Sequence, residues 1–379
     1  MLVLPSLSLY VHIPWCVKKC PYCDFNSHEA KIIPEEEYVK ALVADLQQEA
    51  DAVQGRKLHS IFFGGGTPSL FSAKSISAIL EYAEKQIGFE SDIEITLEAN
   101  PGTFEQEKFV GFYQAGVNRL SMGVQSFQTQ HLKKLGRIHN SDEAKAAIAS
   151  AKKAGFNNIN LDLMHGLPEQ TLDNALDDLQ TAIDFSPSHI SWYQLTIEPN
   201  TVFFREQPPL PADETLASIQ DAGQALLQEY GYDQYEVSAY AKGGRQAKHN
   251  LNYWSFGDYL GIGAGAHGKV TDLAGSCVIR KQKTRLPEHY LDYKIAPRFK
   301  AITVAQNELA LEFMMNSLRL LKGVPKALFA ERTGFTLHTI EPILSELIAK
   351  GLLKDDAQQL TTTELGQRYL NSVLAEFMS

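Results

Sequence analysis

The chain has 379 residues, 44% of them apolar, and a formal net charge of −10; this is enough for a large core with smaller domains attached. The acidic balance argues against broad nucleic-acid binding, which needs cationic side chains to neutralise phosphates. Four cysteines, three of them between positions 16 and 23, exclude a disulfide scaffold, and no stretch approaches the roughly 20 apolar residues that span a bilayer. The apolar start, MLVLPSLSLYVHIP, lacks a basic n-region and a small-residue cleavage site, so it does not read as a signal peptide. The expectation is a cytoplasmic protein with reduced thiols and no transmembrane segment, with peripheral membrane contact left open.

The first 200 residues alternate short apolar runs with helical patterns. Strands are expected at Leu7–His12, Leu58–Phe63, Asp92–Leu97, Arg119–Val124, Asn158–Met164 and His189–Thr196. The clearest helix is Glu35–Val53, where Val39, Leu42, Val43, Leu46, Ala50 and Val53 recur at helical spacing; Pro34 and Glu35–Glu37 suit its first turn. Strand–helix alternation implies a parallel sheet with right-handed crossovers, and six such units can form a barrel, open or closed. Parity adds more. Leu7, Leu9 and Val11 face opposite to Ser8, Tyr10 and His12; Ile93, Ile95 and Leu97 oppose Glu94, Thr96 and Glu98; Ile159, Leu161 and Leu163 oppose Asn160 and Asp162. The polar set would line the lumen, where unpaired donors and acceptors require water or a polar ligand.

From about Pro208 the rhythm changes. A helix near Thr215–Tyr230 leads to a glycine-rich, aromatic segment through HNLNYW and GIGAGAHG. The run Gly261–Gly268 follows no strand–helix pattern and is not read as a dinucleotide site. After about Thr303 the chain reads as helical, and Val324–Ser379 reads helix, helix, short hairpin, helix, which is like a winged-helix module. A packed cap or docking domain suits the acidic balance better than a DNA-reading role. The expected division is 1–205 (barrel with cysteine loop), 206–302 (barrel extension) and 303–379 (helical domain).

The chemistry lies in His12–Phe25, HIPWCVKKCPYCDF, which follows the first strand on a loop at the C-terminal end of the barrel. Cys16, Cys20 and Cys23 have C-x3-C-x2-C spacing, which lets three thiolates converge on one [4Fe–4S] cluster. The remaining cysteine, Cys277, is far away in sequence, so one iron is left open for a small chelating molecule. The rival is a structural zinc in a Cys3His site using His12 or His28, although zinc sites more often pair their cysteines as C-x2-C.

This segment resembles the cluster motif of the radical S-adenosylmethionine (radical SAM) superfamily, and the match is strongest in the HemN/HemW branch. The resemblance covers most of the chain and implies an α/β fold: a partial (β/α)6 radical SAM barrel with a small, mostly helical, winged-helix-like C-terminal domain. It implies S-adenosylmethionine (SAM) on the open iron. Gly65, Gly66 and Thr67 in GGGTP match the family motif that contacts the methionine amino group. Tyr10, Glu98 in LEANPGT, Gln125 in SMGVQSF, Arg137 in KKLGRIH and Asp162 in NINLDLMHGLP match positions that hold the methionine and ribose portions. The chemistry agrees, since a carboxylate suits an ammonium or ribose hydroxyls and arginine suits a carboxylate. Internal pairing of Glu98, Arg137 and Asp162 is the plainer alternative.

Two features separate the sides of the branch. Coproporphyrinogen oxidases carry a fourth cysteine in C-x3-C-x2-C-x-C, where this chain has Phe25, and a longer N-terminal extension than the residues before Cys16 allow. His249, Tyr253 and Trp254 of HNLNYW match the HNxxYW heme motif of the heme-chaperone side. A neutral imidazole suits heme iron and aromatic rings suit a porphyrin; His267 is an alternative ligand, and a histidine packed among core aromatics is the bland reading. The resemblance thus implies a chaperone that binds heme and passes it to acceptor proteins, respiratory ones among them. The oxygen-independent coproporphyrinogen III oxidase reading stands as the alternative, and a winged-helix regulator as a remote third.

Overall fold

The computed structural model describes residues 1–102, 106–292 and 299–378. Six parallel strands run through the first half: β1 (Leu7–Ile13), β2 (Leu58–Gly65), β3 (Phe89–Ala99), β4 (Arg119–Gln125), β5 (Ile159–His165) and β6 (His189–Gln194). Between them lie α1 (Glu35–Gln48), α2 (Ala73–Gln86), α3 (Phe109–Gln114), α4 (Ser141–Lys153) and α5 (Leu172–Asp184). All six strands lie where the alternation placed them, with ends displaced by a few residues.

Helix α1 is shorter than expected. It stops before Glu49, and a separate turn of helix covers Ala50–Val53. The Glu49 carboxylate accepts from Lys281 Nζ at 2.5 Å and Lys283 Nζ at 2.7 Å; these tertiary bonds draw the chain off the helical path. Glu35, at the other end, caps a neighbour. Its Oε1 accepts from the Ser72 backbone N–H and hydroxyl just before α2.

The barrel stays open. The β1 edge pairs with β9 (Asp258–Ile262) rather than with β6. Beyond β9 follow β10 (His267–Asp272), β11 (Cys277–Lys283) and β12 (Phe299–Thr303), all antiparallel. On the far side β6 pairs with β8 (Ala239–Ala241), and β8 pairs with β7 (Asp233–Glu236). One twelve-strand mixed sheet therefore runs β12-β11-β10-β9-β1-β2-β3-β4-β5-β6-β8-β7. Its last six strands in sequence lie in a stretch that reads only as glycine-rich and aromatic. Those strands are three to seven residues long and lack clean alternation, so periodicity could not expose them. The Gly261–Gly268 run is the end of β9, a turn, and the start of β10. Two further helices matter below: α6 (Asp213–Glu229) and α7 (Lys248–Trp254).

The C-terminal segment packs α8 (Gln306–Ser317), α9 (Lys326–Thr333) and α10 (Glu341–Ala349) on the extension strands. A short hairpin follows, bridged at Leu353 and Thr362, and its return strand Gln359–Leu360 also pairs with Val324–Pro325. Two short helices, Glu364–Arg368 and Leu370–Ala375, complete the segment; Ser379 lies outside the described residues. Phe313 packs edge-on against Phe256 and Phe329 within the core shared by the C-terminal segment and the extension strands.

Strand parity sorts the interior as expected. Leu7, Leu9, Val11, Ile61, Phe63, Leu97, Leu120, Leu161 and Leu163 are buried under the helices. The lumen is built in layers set by register: Ser8 beside Ser60 and Ser60 beside Glu94; above them Tyr10 beside Phe62 and Phe62 beside Thr96; and His12 beside Gly64 at the top. The lower lumen is largely paired within itself, with Arg119 Nε and Thr96 Oγ1 buried without a hydrogen-bond partner. Ser8 and Ser60 share a hydrogen bond of 2.8 Å, Asn160 donates to Ser121 and Asp162 at 2.8 Å each, and the Asn160 carbonyl meets His189 at 2.6 Å. The upper lumen opens into two cavities, which give a ligand room at that end.

Candidate functional site

The cysteine loop leaves β1 through Trp15–Cys16, a two-residue strand paired with His28–Glu29. Packing at its base explains the glycines after β2. A Cβ on Gly66 would lie 2.5 Å from the Trp15 carbonyl oxygen, and one on Gly65, at φ +112°, would lie 2.5 Å from the His12 ring. These glycines are required first by the cysteine loop's own backbone and by His12.

Cys16, Cys20 and Cys23 line one cavity of about 300 Å³. Its walls include Gly65, Gly66, Thr67, Glu98, Gln125, Arg137 and Asp162. Seven of the eight residues assigned to SAM from sequence therefore face the three thiols. Tyr10 lines the neighbouring cavity instead and bonds His12 Nδ1 at 2.9 Å. Cys277 lines neither cavity. Each thiol has a partner: Thr67 donates to Cys16 Sγ at 3.4 Å, Arg137 Nη1 to Cys20 Sγ at 3.6 Å, and Cys23 Sγ lies 3.8 Å from Ser27 Oγ. Burial pushes the Cys16 and Cys23 thiols up.

The donor set fits an iron–sulfur cube better than a single zinc ion. Both ring nitrogens of His12 are already used, by Tyr10 and by the Asn26 carbonyl at 2.9 Å; His28 keeps Nε2 buried without a partner but lines neither the thiol cavity nor its neighbour. Among the described residues no three His, Cys, Asp or Glu side chains meet at a point that could hold one metal ion. A cube carries its thiolates on separate irons, so they need not meet at one point.

Arg137 is held by Gly123 O at 2.6 Å and Asn100 Oδ1 at 2.7 Å, and its Nε is buried without a partner. Gln125 closes β4 with φ +69°, a conformation costly for a side chain, and accepts from Tyr193 at 2.9 Å. Burial raises Asp162 despite bonds from Asn160 and Ser121. Glu98 accepts from the Gly65 N–H at 3.2 Å; burial, then Asp162, push it up to about 8. Asn100 and Tyr193 also belong to this wall and were missed from sequence. Both were within reach of parity: Asn100 lies two residues beyond Glu98, and Tyr193 shares a face with His189 and Ser191 in β6.

The raised Glu98 makes a measurable prediction. Its proton stabilises the fold in full below the unfolded value near 4.5, and that contribution is lost as pH rises to about 8. Glu98→Gln should therefore match wild type near pH 4.5 and become more stable than wild type as pH approaches 8, on the order of 3 kcal/mol after allowing for the open cavity beside it. Thermal melts of both proteins without SAM across this range check it; parallel curves would show that Glu98 is ionised in the free protein.

A second cavity of about 650 Å³ adjoins the first and shares Phe25, Gly65 and Glu98 with it. Its walls are aromatic, with Tyr10, Phe62, Tyr253, Trp254 and Phe256. Phe25, where an oxidase has its fourth cysteine, is 62% exposed on the shared wall. Asn26 ties the cysteine loop to this cavity by donating to the Ala264 and Arg285 carbonyls at 3.0 and 2.9 Å. Of the HNLNYW residues, Tyr253 and Trp254 reach the cavity, while His249 lies deeper and is not part of its wall.

The radical SAM superfamily model matches residues 10–182, and the HemN C-terminal domain model matches residues 304–369. The chain is 53% identical over 381 residues to heme chaperone HemW of Haemophilus influenzae, covering 99% of each chain. It is 50% identical over 380 residues to heme chaperone HemW of Escherichia coli, covering 100% of each. Coproporphyrinogen III oxidase (HemN) of Escherichia coli shares the fold, with a TM-score of 0.82 at 22% identity, covering 99% of this chain and 90% of that one. With similarity at this level along its whole length, the chain belongs to the HemW family of the radical SAM superfamily.

Proposed function

We propose that this protein is a heme chaperone: it binds heme beside a [4Fe–4S] cluster ligated by Cys16, Cys20, Cys23 and SAM, and hands the heme to acceptor proteins, respiratory ones among them. The observation that carries this reading is the pair of adjoining cavities, one walled by thiols and polar strand ends, the other by aromatic rings, with Phe25, Gly65 and Glu98 in common. The relatives named heme chaperones support the choice of heme.

Each residue's part follows from its chemistry. Arg137, fixed by Asn100 and Gly123, offers a positioned cation to the SAM carboxylate. Gly65, Gly66 and Thr67 bring backbone groups to the amino end, and Glu98, Gln125 and Asp162 line the path of the ammonium and ribose, while Tyr10 stands on the wall of the aromatic cavity. When bound and reduced, the cluster supplies an electron for cleaving the SAM sulfonium; the protein's share is to bind, orient and keep water out. The helix α7 that carries His249, Tyr253 and Trp254 forms the aromatic seat for porphyrin, and Phe25 offers it a further apolar face. The segments 1–205, 206–302 and 303–379 then divide the work into cluster barrel, heme seat and docking domain.

Anoxic protein with an intact cluster should bind heme with a Soret shift, and should leave coproporphyrinogen unchanged in the presence of SAM and a reductant. Turnover of the porphyrinogen would replace this reading with the oxidase. Phe25→Ala should weaken heme binding and leave cluster iron and sulfide unchanged.

A further inference from the structure

The HNLNYW helix supplies two aromatic rings to the larger cavity, but its histidine is committed elsewhere. His249 Nδ1 lies 3.1 Å from Glu94 Oε1, and the His249 backbone N–H also donates to that oxygen. Glu94 belongs to the lowest lumen layer with Ser60, and Asn252 of the same helix donates to Ser8 there at 2.9 Å. The His249 ring packs against Phe62 with centroids 4.3 Å apart, and Phe62 itself is part of the cavity wall. Heme iron sits at the centre of a flat disc, so a ligating nitrogen must stand clear of its surroundings by about the depth of a ring. His249 is buried and cannot do so unless Phe62 moves.

The opposite holds for His267. It is the first residue of β10, is exposed, and is part of the cavity wall. Strand pairing of β10 with β11 brings His267 beside Gln282 and Lys269 beside Arg280, and all four face the cavity. Partial burial, then Arg280 and Arg285, hold the His267 imidazole below its ordinary value, which keeps a lone pair available at neutral pH. Two of the nearby cations are engaged: Lys269 with Asp258 at 3.1 Å, and Arg280 with Glu312 at 2.6 Å. Arg285, also in the wall, is exposed, and its guanidinium makes no hydrogen bond or ion pair among the described residues.

We propose that His267 supplies the axial imidazole to heme in the larger cavity, that Arg285 takes a propionate carboxylate at its rim, and that His249 anchors α7 through Glu94. This rests on the reading that the protein binds heme. The imidazole lone pair forms the bond to iron, and an arginine fork suits a carboxylate.

The test is a hemin titration of cluster-loaded wild type and of His267→Ala, His249→Gln and Arg285→Glu, read by Soret position and by low-temperature spin state. His267→Ala should lose the histidine-ligated spectrum and regain it with added imidazole. His249→Gln keeps a hydrogen-bonding group beside Glu94 and should retain the wild-type spectrum. Arg285→Glu should weaken binding about tenfold or more with the spectrum unchanged, as expected for a lost charge-assisted pair. A wild-type spectrum in His267→Ala together with its loss in His249→Gln would overturn the assignment and leave heme binding intact. A wild-type protein that binds no heme would instead remove the proposed function itself.

Discussion

Cys20→Ser is expected to strip essentially all cluster iron and sulfide from anoxically reconstituted protein. With three protein ligands and an exchangeable fourth, a [4Fe–4S] centre has no ligand to spare, and serine is a poor substitute for thiolate. Cys20 is the most informative of the three because Arg137 reaches it from the cavity wall at 3.6 Å. Iron and sulfide analysis, with the visible charge-transfer absorbance, reads the outcome. The melting temperature of the cluster-free protein should hardly change, since Cys20 is only partly buried and sits on a loop. Full iron and sulfide in the variant would mean that Cys20 is not a ligand; stoichiometric zinc without sulfide in wild type would revive the mononuclear site.

Lys283→Met is expected to destabilise the fold by about 3–5 kcal/mol, the usual cost of breaking a fully buried ion pair from one side. Lys283 is 1% exposed and bonds Asp45 at 2.6 Å and Glu49 at 2.7 Å. Tyr290 donates to Asp45 at 2.6 Å, and the Gly263 N–H donates to the same carboxylate at 3.2 Å. Methionine fills the space but leaves two buried carboxylates with one fewer cation. Lys281, 2.5 Å from Glu49, can compensate only part of this. The network joins α1 to β11 and to the turn before β10, so the variant should also weaken heme binding by disturbing the placement of His267. Urea unfolding of the cluster-free protein measures the first effect; a loss below about 1 kcal/mol would mean that water reaches the carboxylates.

The barrel half and the thiol cavity were legible because both are written locally. Period-two alternation in β1, β3 and β5 identified which side chains enter the lumen, and the C-x3-C-x2-C spacing marked the three-thiol loop without any tertiary information. Glu98, Gln125, Arg137 and Asp162 lie on different strands and loops, yet resemblance and strand-end position gathered them correctly around one cavity. Tyr10 was placed on the right face but one cavity away, since parity gives a side without giving a depth.

What the residues determined alone, then, is the parallel core, the polar lining of its lumen and the three-thiol loop at its mouth: each rests on a repeat or a spacing a few residues long. Only the tertiary structure decided where α1 breaks, how six short strands between residues 233 and 303 extend both edges of the sheet, and which histidine faces the aromatic cavity. Those outcomes depend on contacts between residues far apart in the chain, such as Glu49 with Lys283 and Glu94 with His249. The physical reason is that a side chain's partner at long range is chosen by the packing of the whole core, and no local pattern carries that choice.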